Sequence, residues 1–229
     1  MHASGISLVL VSGRTREQMR EAGRILQADA SIAELGALVI ERDAAYSETV
    51  RTNYGAYRGE APPFEAMAHS GAGGYLLERY AGRLEPHTPW SFQDREATML
   101  FRGLLDPAKA TKDLADAGYS WLEVLDNGVI RRTYPGLRVA EVRAYHLVPR
   151  GVGKASGVAL HRDAHGLKAE ETAAVGDSLS DAQMAGVVGT AYIVGGGEAA
   201  LRERRPENVV LLEEPAGDGV ARAVQALLG

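Results

Sequence analysis

Residues 6–15 read Ile6-Ser7-Leu8-Val9-Leu10-Val11-Ser12-Gly13-Arg14-Thr15. A nearly unbroken β-favouring run of this kind suits a strand buried on both faces of a parallel sheet, and it stops at Ser12-Gly13. A helix follows at once. Thr15 with Gln18 three residues on makes a capping box, and Met19, Ala22, Ile25 and Leu26 recur at helical spacing as far as Gln27. Ala37 to Ile40 is then expected as a second short buried strand, so the chain opens with the strand, helix, strand grammar of an α/β sheet.

Working outward, the texture changes between residues 42 and 150, where aromatics concentrate, Gly and Pro interrupt often, and strands alternate apolar with polar as half-exposed antiparallel strands do. Ala97 to Leu105 suits a strand. Asp106-Pro107 is an N-cap with a proline at the first helical position, opening a helix to about Ala117. Asn127-Gly128 predicts a two-residue hairpin turn between Trp121–Asp126 and Val129–Tyr134, with a further strand over Tyr145–Val148. After Arg150 the first grammar returns: a helix from Lys154 to His165 closed by Gly166, a strand over Thr172–Val175, a short helix from Ser180, a strand over Thr190–Val194 and a helix near Val220–Leu228. The expectation is one discontinuous α/β domain of residues 1–41 and 151–229, with residues 42–150 inserted as a smaller α+β domain.

The composition narrows the chemistry. The chain has 229 residues, 45% of them apolar, enough to fill a core. Lys+Arg 25 against Asp+Glu 30 leaves a net charge of −5, so no overall positive field draws in nucleic acid or an anionic membrane, and a small polar ligand is the expected partner. With Cys 0, disulfides, thiolate metal sites and cysteine nucleophiles are excluded, in keeping with the cytosol as the expected location. The run Ile6–Val11 is too short to span a membrane. Oligomeric state leaves no trace in the sequence.

The sharpest chemical signal is Val175-Gly176-Asp177-Ser178-Leu179-Ser180-Asp181-Ala182-Gln183-Met184. A strand ending in Gly-Asp puts a carboxylate at the carboxyl edge of a parallel sheet, where open α/β folds bind ligands. Asp181 stands four residues on, in a first helical turn, so both carboxylates can face one pocket. Hard oxygen ligands without cysteine point to Mg²⁺ over zinc. Equally, Asp177 can merely start a loop and Asp181 merely cap a helix. Ser12-Gly13, between a strand and a capped helix, offers a hydroxyl and backbone N–H groups to a phosphate oxygen, although a plain turn would read the same. Lys154, after Gly151-Val152-Gly153, can bring an ammonium to the rim of the same pocket, or can simply be solvated. His161 and His165 have the i, i+4 spacing of a zinc clamp, but Arg162 stands where a zincin needs Glu, which favours partly exposed packing. Arg131-Arg132 reads as a hairpin surface, and Gly71–Gly74 as a helix or loop irregularity.

Taken in order, Leu8-Val9-Leu10-Val11-Ser12-Gly13-Arg14-Thr15, Lys154, and Gly176-Asp177-Ser178-x-x-Asp181-x-x-Met184 resemble the second, third and fourth motifs of the haloacid dehalogenase-like phosphatases, closest to the Cof-like and phosphoglycolate or sucrose-phosphate phosphatase branch. Glu34-Leu35-Gly36-Ala37 matches that branch's Glu-x-Gly-Ala, and the insertion lies where the branch carries its cap. The resemblance implies a Rossmann-like parallel sheet and Mg²⁺-dependent hydrolysis of a small phosphomonoester, a sugar phosphate or phosphoglycolate-like acid, through an aspartyl-phosphate. It gives Ser12 and Gly13 to the phosphoryl group, Lys154 to charge neutralisation, Asp177 to the metal, and Asp181 to the metal or a metal-bound water, with Arg14 and Ser178 as auxiliaries. A non-catalytic phosphate-binding protein and a phosphomutase are the alternatives. The cap would select the substrate, although Arg51, Arg102 and Tyr145 cannot be placed in the pocket from spacing.

One departure stands out. The family's first motif, Asp-x-Asp, should precede Ser12 by a strand and a helix, and residues 1–11 contain no Asp. In relatives that strand lies between the strands ending at Ser12 and at Asp177. The expectation is therefore a missing first central strand, a gene product shortened at its amino end with Met1–Gly5 the remnant of a helix, and no phosphatase activity as written.

Overall fold

The computed structural model describes residues 5–43 and 47–228, so most of the expected Met1–Gly5 helix remnant lies outside the described residues. In chain order, β1 (Val9–Val11) leads to α1 (Arg16–Leu26), β2 (Ala30–Ala33), β3 (Leu38–Arg42) and β4 (Glu48–Thr52). Next come α2 (Pro63–Ser70), α3 (Ala72–Arg79), β5 (Leu84–Pro86), β6 (Met99–Gly103), α4 (Pro107–Asp116), β7 (Leu122–Val129) and β8 (Arg143–Pro149). The chain ends with α5 (Lys154–Ala164), β9 (Ala173–Gly176), α6 (Leu179–Ala182), β10 (Thr190–Ile193), α7 (Ala199–Glu203), β11 (Val209–Leu211) and α8 (Ala216–Leu228). No described helix is long and apolar enough to cross a membrane.

The opening βαβ unit forms with β1 and β2 parallel, and the Thr15–Gln18 capping box starts α1. The second strand of that unit is Ala30–Ala33, not Ala37–Ile40. With Ile32 its one large apolar residue among Ala30, Ser31 and Ala33, it carries a weak apolar signal, yet all four are buried. The expected Ala37–Ile40 run is the next strand over, β3, antiparallel to β2, and β4 in turn pairs antiparallel with β3. Glu48–Thr52 therefore extends the first sheet, although the expected boundary at residue 42 assigned it to the inserted part.

The sheets are three: β1-β2-β3-β4, β11-β10-β9, and β5-β6-β8-β7. The third is antiparallel, with α2, α3 and α4 packed on one face through Met67, Leu76 and Leu114 against Phe101, Tyr145 and Leu147. Its other face lies on the first sheet, where Val148 packs with Leu38 and Ile40. β8 is thus buried on both sides, unlike the half-exposed strands expected there. Among the described residues β1 pairs with β2 alone and β9 with β10 alone, so the α/β layer is interrupted between β1 and β9. That is where the resemblance puts the family's first strand.

Asn127-Gly128 is not a hairpin turn. β7 runs through it, with an irregular register between Asp126 and Val129, and its partner is β8, reached through residues 130–142. Asp126 explains the difference: one carboxylate oxygen accepts the Gly128 N–H at 2.8 Å and the other accepts Arg143 Nε at 2.6 Å, fixing a bulge where a free Asn-Gly would turn. Arg131 and Arg132 are exposed, and Gly71 breaks the chain between α2 and α3.

Candidate active site

Ser12 closes β1 with its backbone spoken for. Its N–H donates to the Ile32 carbonyl at 2.9 Å, its own carbonyl accepts the Leu35 N–H at 3.0 Å, and its hydroxyl accepts the Arg14 N–H at 3.3 Å. Gly13 is buried beneath β7 and β8. A Cβ there would lie 2.7 Å from His146 Nε2 and 3.0 Å from Asn127 Nδ2, so β7 and β8 can settle on this turn only over a glycine. Arg95 reaches in as well, donating from Nη1 to the Gly13 carbonyl at 3.3 Å.

Across from this turn, Lys154 at the start of α5 is buried, and its ammonium donates to Asp181 Oδ1 at 2.8 Å and Ser180 Oγ at 2.9 Å. Asp181 Oδ2 accepts the N–H groups of Asp177 and Ser178 and the Ser178 hydroxyl. Ser178 in return caps α6 through its hydroxyl and the Asp181 N–H. Burial alone would raise the Asp181 pKa, but the Lys154 charge and these donors outweigh it and hold it low, so Asp181 stays ionised. Asp177 is exposed at the mouth, its pKa raised by desolvation and then by the Asp181 carboxylate.

Asn127 joins the two sides, with Nδ2 against Gly13 and Oδ1 3.5 Å from the Ser180 hydroxyl. His146 stands beside it, fully buried, its Nδ1 without a hydrogen-bond partner among the described residues. Burial first, then the charges of Arg95, Lys154 and His87, push its pKa well down, so the ring is neutral. A second tie between the inserted part and the core passes through Arg143, whose Nη2 donates to Glu198 at 3.0 Å while the other Glu198 oxygen accepts the Leu179 N–H at 3.2 Å.

The Glu-x-Gly-Ala segment positions all of this. Glu34 is fully buried, and its carboxylate accepts the N–H groups of Glu96, Ala97 and Thr98 and the Thr98 hydroxyl, fastening the segment that carries Arg95. Desolvation raises its pKa against the opposing charge of Arg95 and these donors. Gly36 has φ +103°, and a Cβ on it would meet the Gly153 carbonyl oxygen at 2.1 Å, while a Cβ on Gly157 would meet Gly36 Cα at 2.5 Å. Backbone-to-backbone approach of α5 to this turn sets where Lys154 points.

Of the residues singled out from sequence, Gly13 beside Ser12, Lys154, Asp177, Ser178 and Asp181 are linked by one run of contacts, from Gly13 through Asn127, Ser180 and Lys154 to Asp181 and its loop. Arg14 is exposed beside it. Arg51, Arg102 and Tyr145 lie elsewhere: Arg51 pairs with Glu41, Arg102 bonds Glu85 and stacks on Tyr134, and Tyr145 sits in the apolar cluster with Phe101 and Leu147, bonded to Leu105. Sequence reasoning missed Asn127, Arg143, His146, Ser180 and Arg95. The one available signal was His146, a polar residue inside an apolar strand run.

The donor set suits Mg²⁺, which is commonly held through one or two carboxylates with waters and substrate phosphate oxygens completing the shell. Asp177 offers an exposed hard oxygen for that purpose. Asp181 has its oxygens engaged by Lys154 and three further donors, an arrangement suited to orienting the Asp177 loop.

No protein-family model matches the chain. A phosphoglycolate phosphatase of Staphylothermus marinus is 28% identical over 100 residues, a match spanning 43% of this chain and 41% of that relative. A solved structure of a Thermoplasma acidophilum protein has a TM-score of 0.65 at 16% identity, covering 100% of this chain and 86% of its own. Sucrose-phosphatase from a Synechocystis species, solved with sucrose and phosphate, gives 0.64 at 12%, covering 96% and 84%. A haloacid dehalogenase-like hydrolase of Bacteroides thetaiotaomicron gives 0.60 at 16%, covering 98% and 88%. Over nearly its whole length, then, the chain has the fold of the haloacid dehalogenase-like phosphatases.

Proposed function

We propose that the Ser12-Gly13 turn and the Lys154–Asp181 pair bind the phosphoryl group of a small phosphomonoester, and that the chain is a Mg²⁺-dependent phosphatase of the haloacid dehalogenase type. The observation that carries this reading is the convergence of the Ser12-Gly13 turn and the Lys154–Asp181 pair beneath Asn127 and His146. The Ser12 hydroxyl and the Gly13 N–H donate to phosphoryl oxygens, and the Lys154 ammonium neutralises their charge. Asp177 is the ligand for Mg²⁺, which when bound would offset the remaining phosphate charge, and Asp181 holds the Asp177 loop and Lys154 in place. Asn127 and His146 cover the phosphoryl group, and the cap formed by the inserted segment, on which they stand, selects among sugar phosphates and phosphoglycolate-like acids.

Titrating the full chain with phosphoglycolate and glucose 6-phosphate, with and without Mg²⁺, tests the proposal. Binding is expected to need Mg²⁺ and to weaken about tenfold or more in Lys154→Met, which removes a charge-assisted contact. Unchanged affinity in folded Lys154→Met would overturn it. Release of free phosphate by the chain would exclude a phosphate-binding protein without turnover.

A further inference from the structure

We propose that Glu41, His161 and His165 form a Zn²⁺ site, separate from the proposed phosphate site, that clamps the end of α5 to β3. The two histidines occupy successive turns at the close of α5, their ring centroids 4.6 Å apart. Glu41 comes from β3, a strand more than a hundred residues earlier in the chain. One oxygen, Oε1, lies 3.1 Å from His161 Nδ1 and 2.9 Å from His165 Nε2, and the candidate ligand atoms all lie within 4.8 Å of one another.

Those spacings are close to what a tetrahedral ion requires. Zinc bonds of about 2.0–2.2 Å place neighbouring ligand atoms roughly 3.3 Å apart, so small rotations of the imidazoles suffice to admit the ion between them and Glu41. A neutral imidazole needs only to carry its proton on the far nitrogen to present a lone pair here. The donor types, two imidazoles and a carboxylate, are those of three-ligand zinc centres that leave the fourth position to water. His165 is half exposed, which provides that position and an entry path. The Arg51 guanidinium bonds Glu41 through the other oxygen, Oε2, and so holds Oε1 toward the rings, as partners of ligating carboxylates do. Its positive charge also lowers affinity relative to a site without it. Arg162, which occupies the place of a zincin's glutamate, bonds Asp163 and the Val187 carbonyl, leaving β3 to supply the carboxylate.

The two histidines lie seven and eleven residues along from Lys154, about 10 and 16 Å of helix, and the site shares no ligand with Asp177. Its effect would be to fix the helix that positions Lys154.

Calorimetric titration of the untagged full chain with ZnCl₂, in excess Mg²⁺, should show one equivalent of Zn²⁺ bound together with a rise in melting temperature. Co²⁺ in its place should give the intense visible absorption of a four-coordinate centre. His165→Ala, a substitution at an exposed position, and Glu41→Gln should each weaken binding by at least about tenfold, the loss seen when even an outer partner of a ligand is removed. Asp177→Asn should leave the isotherm unchanged. Absence of binding by folded protein, full affinity in folded His165→Ala, or loss of binding in Asp177→Asn would each overturn the proposal.

Discussion

Lys154 and Asp181 form a buried ion pair, with side chains only 8% and 9% exposed. Removing one partner leaves the other charge buried and alone, which typically costs about 3–5 kcal/mol. Lys154→Met should lower the free energy of unfolding by that order, as chemical denaturation would show; a loss below about 1 kcal/mol would mean the pair is solvated in solution. His146 sets a pH dependence. Its folded pKa lies below the ordinary value near 6.5, so as pH falls below about 6.5 the unfolded chain takes up a proton that the folded protein refuses. Stability is present above that pH and declines on acidification through the folded pKa, by at most about 1.4 kcal/mol per pH unit for this group. His87 shifts in the same direction and adds to the effect. Denaturation midpoints at pH 7.5 and 5.5 should differ in the native protein and less so in His146→Gln; equal differences would remove His146 as the cause.

Among the elements, α5 is placed by the absence of side chains. Gly157 faces Gly36 so closely that a methyl group would sit 2.5 Å from the Gly36 Cα. In an ordinary helix interior, Gly to Ala stabilises by about 1 kcal/mol. Here Gly157→Ala should reverse sign, destabilise the fold and weaken phosphate binding by shifting Lys154, measured by thermal melting and ligand titration on one sample. A gain in melting temperature would show that α5 can back away at no cost. The Asn127-Gly128 bulge teaches the converse. The dipeptide has a strong turn preference, and a carboxylate on one side with an arginine from the neighbouring strand overrides it. That bulge carries Asn127 over the Gly13 turn.

Across the whole molecule, the described residues form three apolar clusters: one between α2–α4 and the β5–β8 sheet, one under β1–β4, and one around Ala191, Ile193 and Val209 beside β9–β11. With β1 and β9 unpaired to each other, no hydrogen-bond ladder carries cooperativity across the α/β layer. Amide exchange should therefore release β9–β11 as a unit ahead of β6 and β8, and matching protection in both would show a single cooperative structure. The strand and helix periods, the caps at Thr15 and Asp106, and the order of the Ser12, Lys154 and Asp177 segments were legible in the sequence, because local preference and hydrophobic spacing are properties of neighbouring residues. β2 was not, since two alanines and a serine around Ile32 become a buried strand only when β1 and β3 flank them. Nor were Asn127 and His146 over the Gly13 turn, Arg143 bridging to Glu198, or Glu41 beside His161 and His165. Each of these depends on segments distant along the chain meeting in space, and a contact of that kind leaves no period or cap in the local sequence.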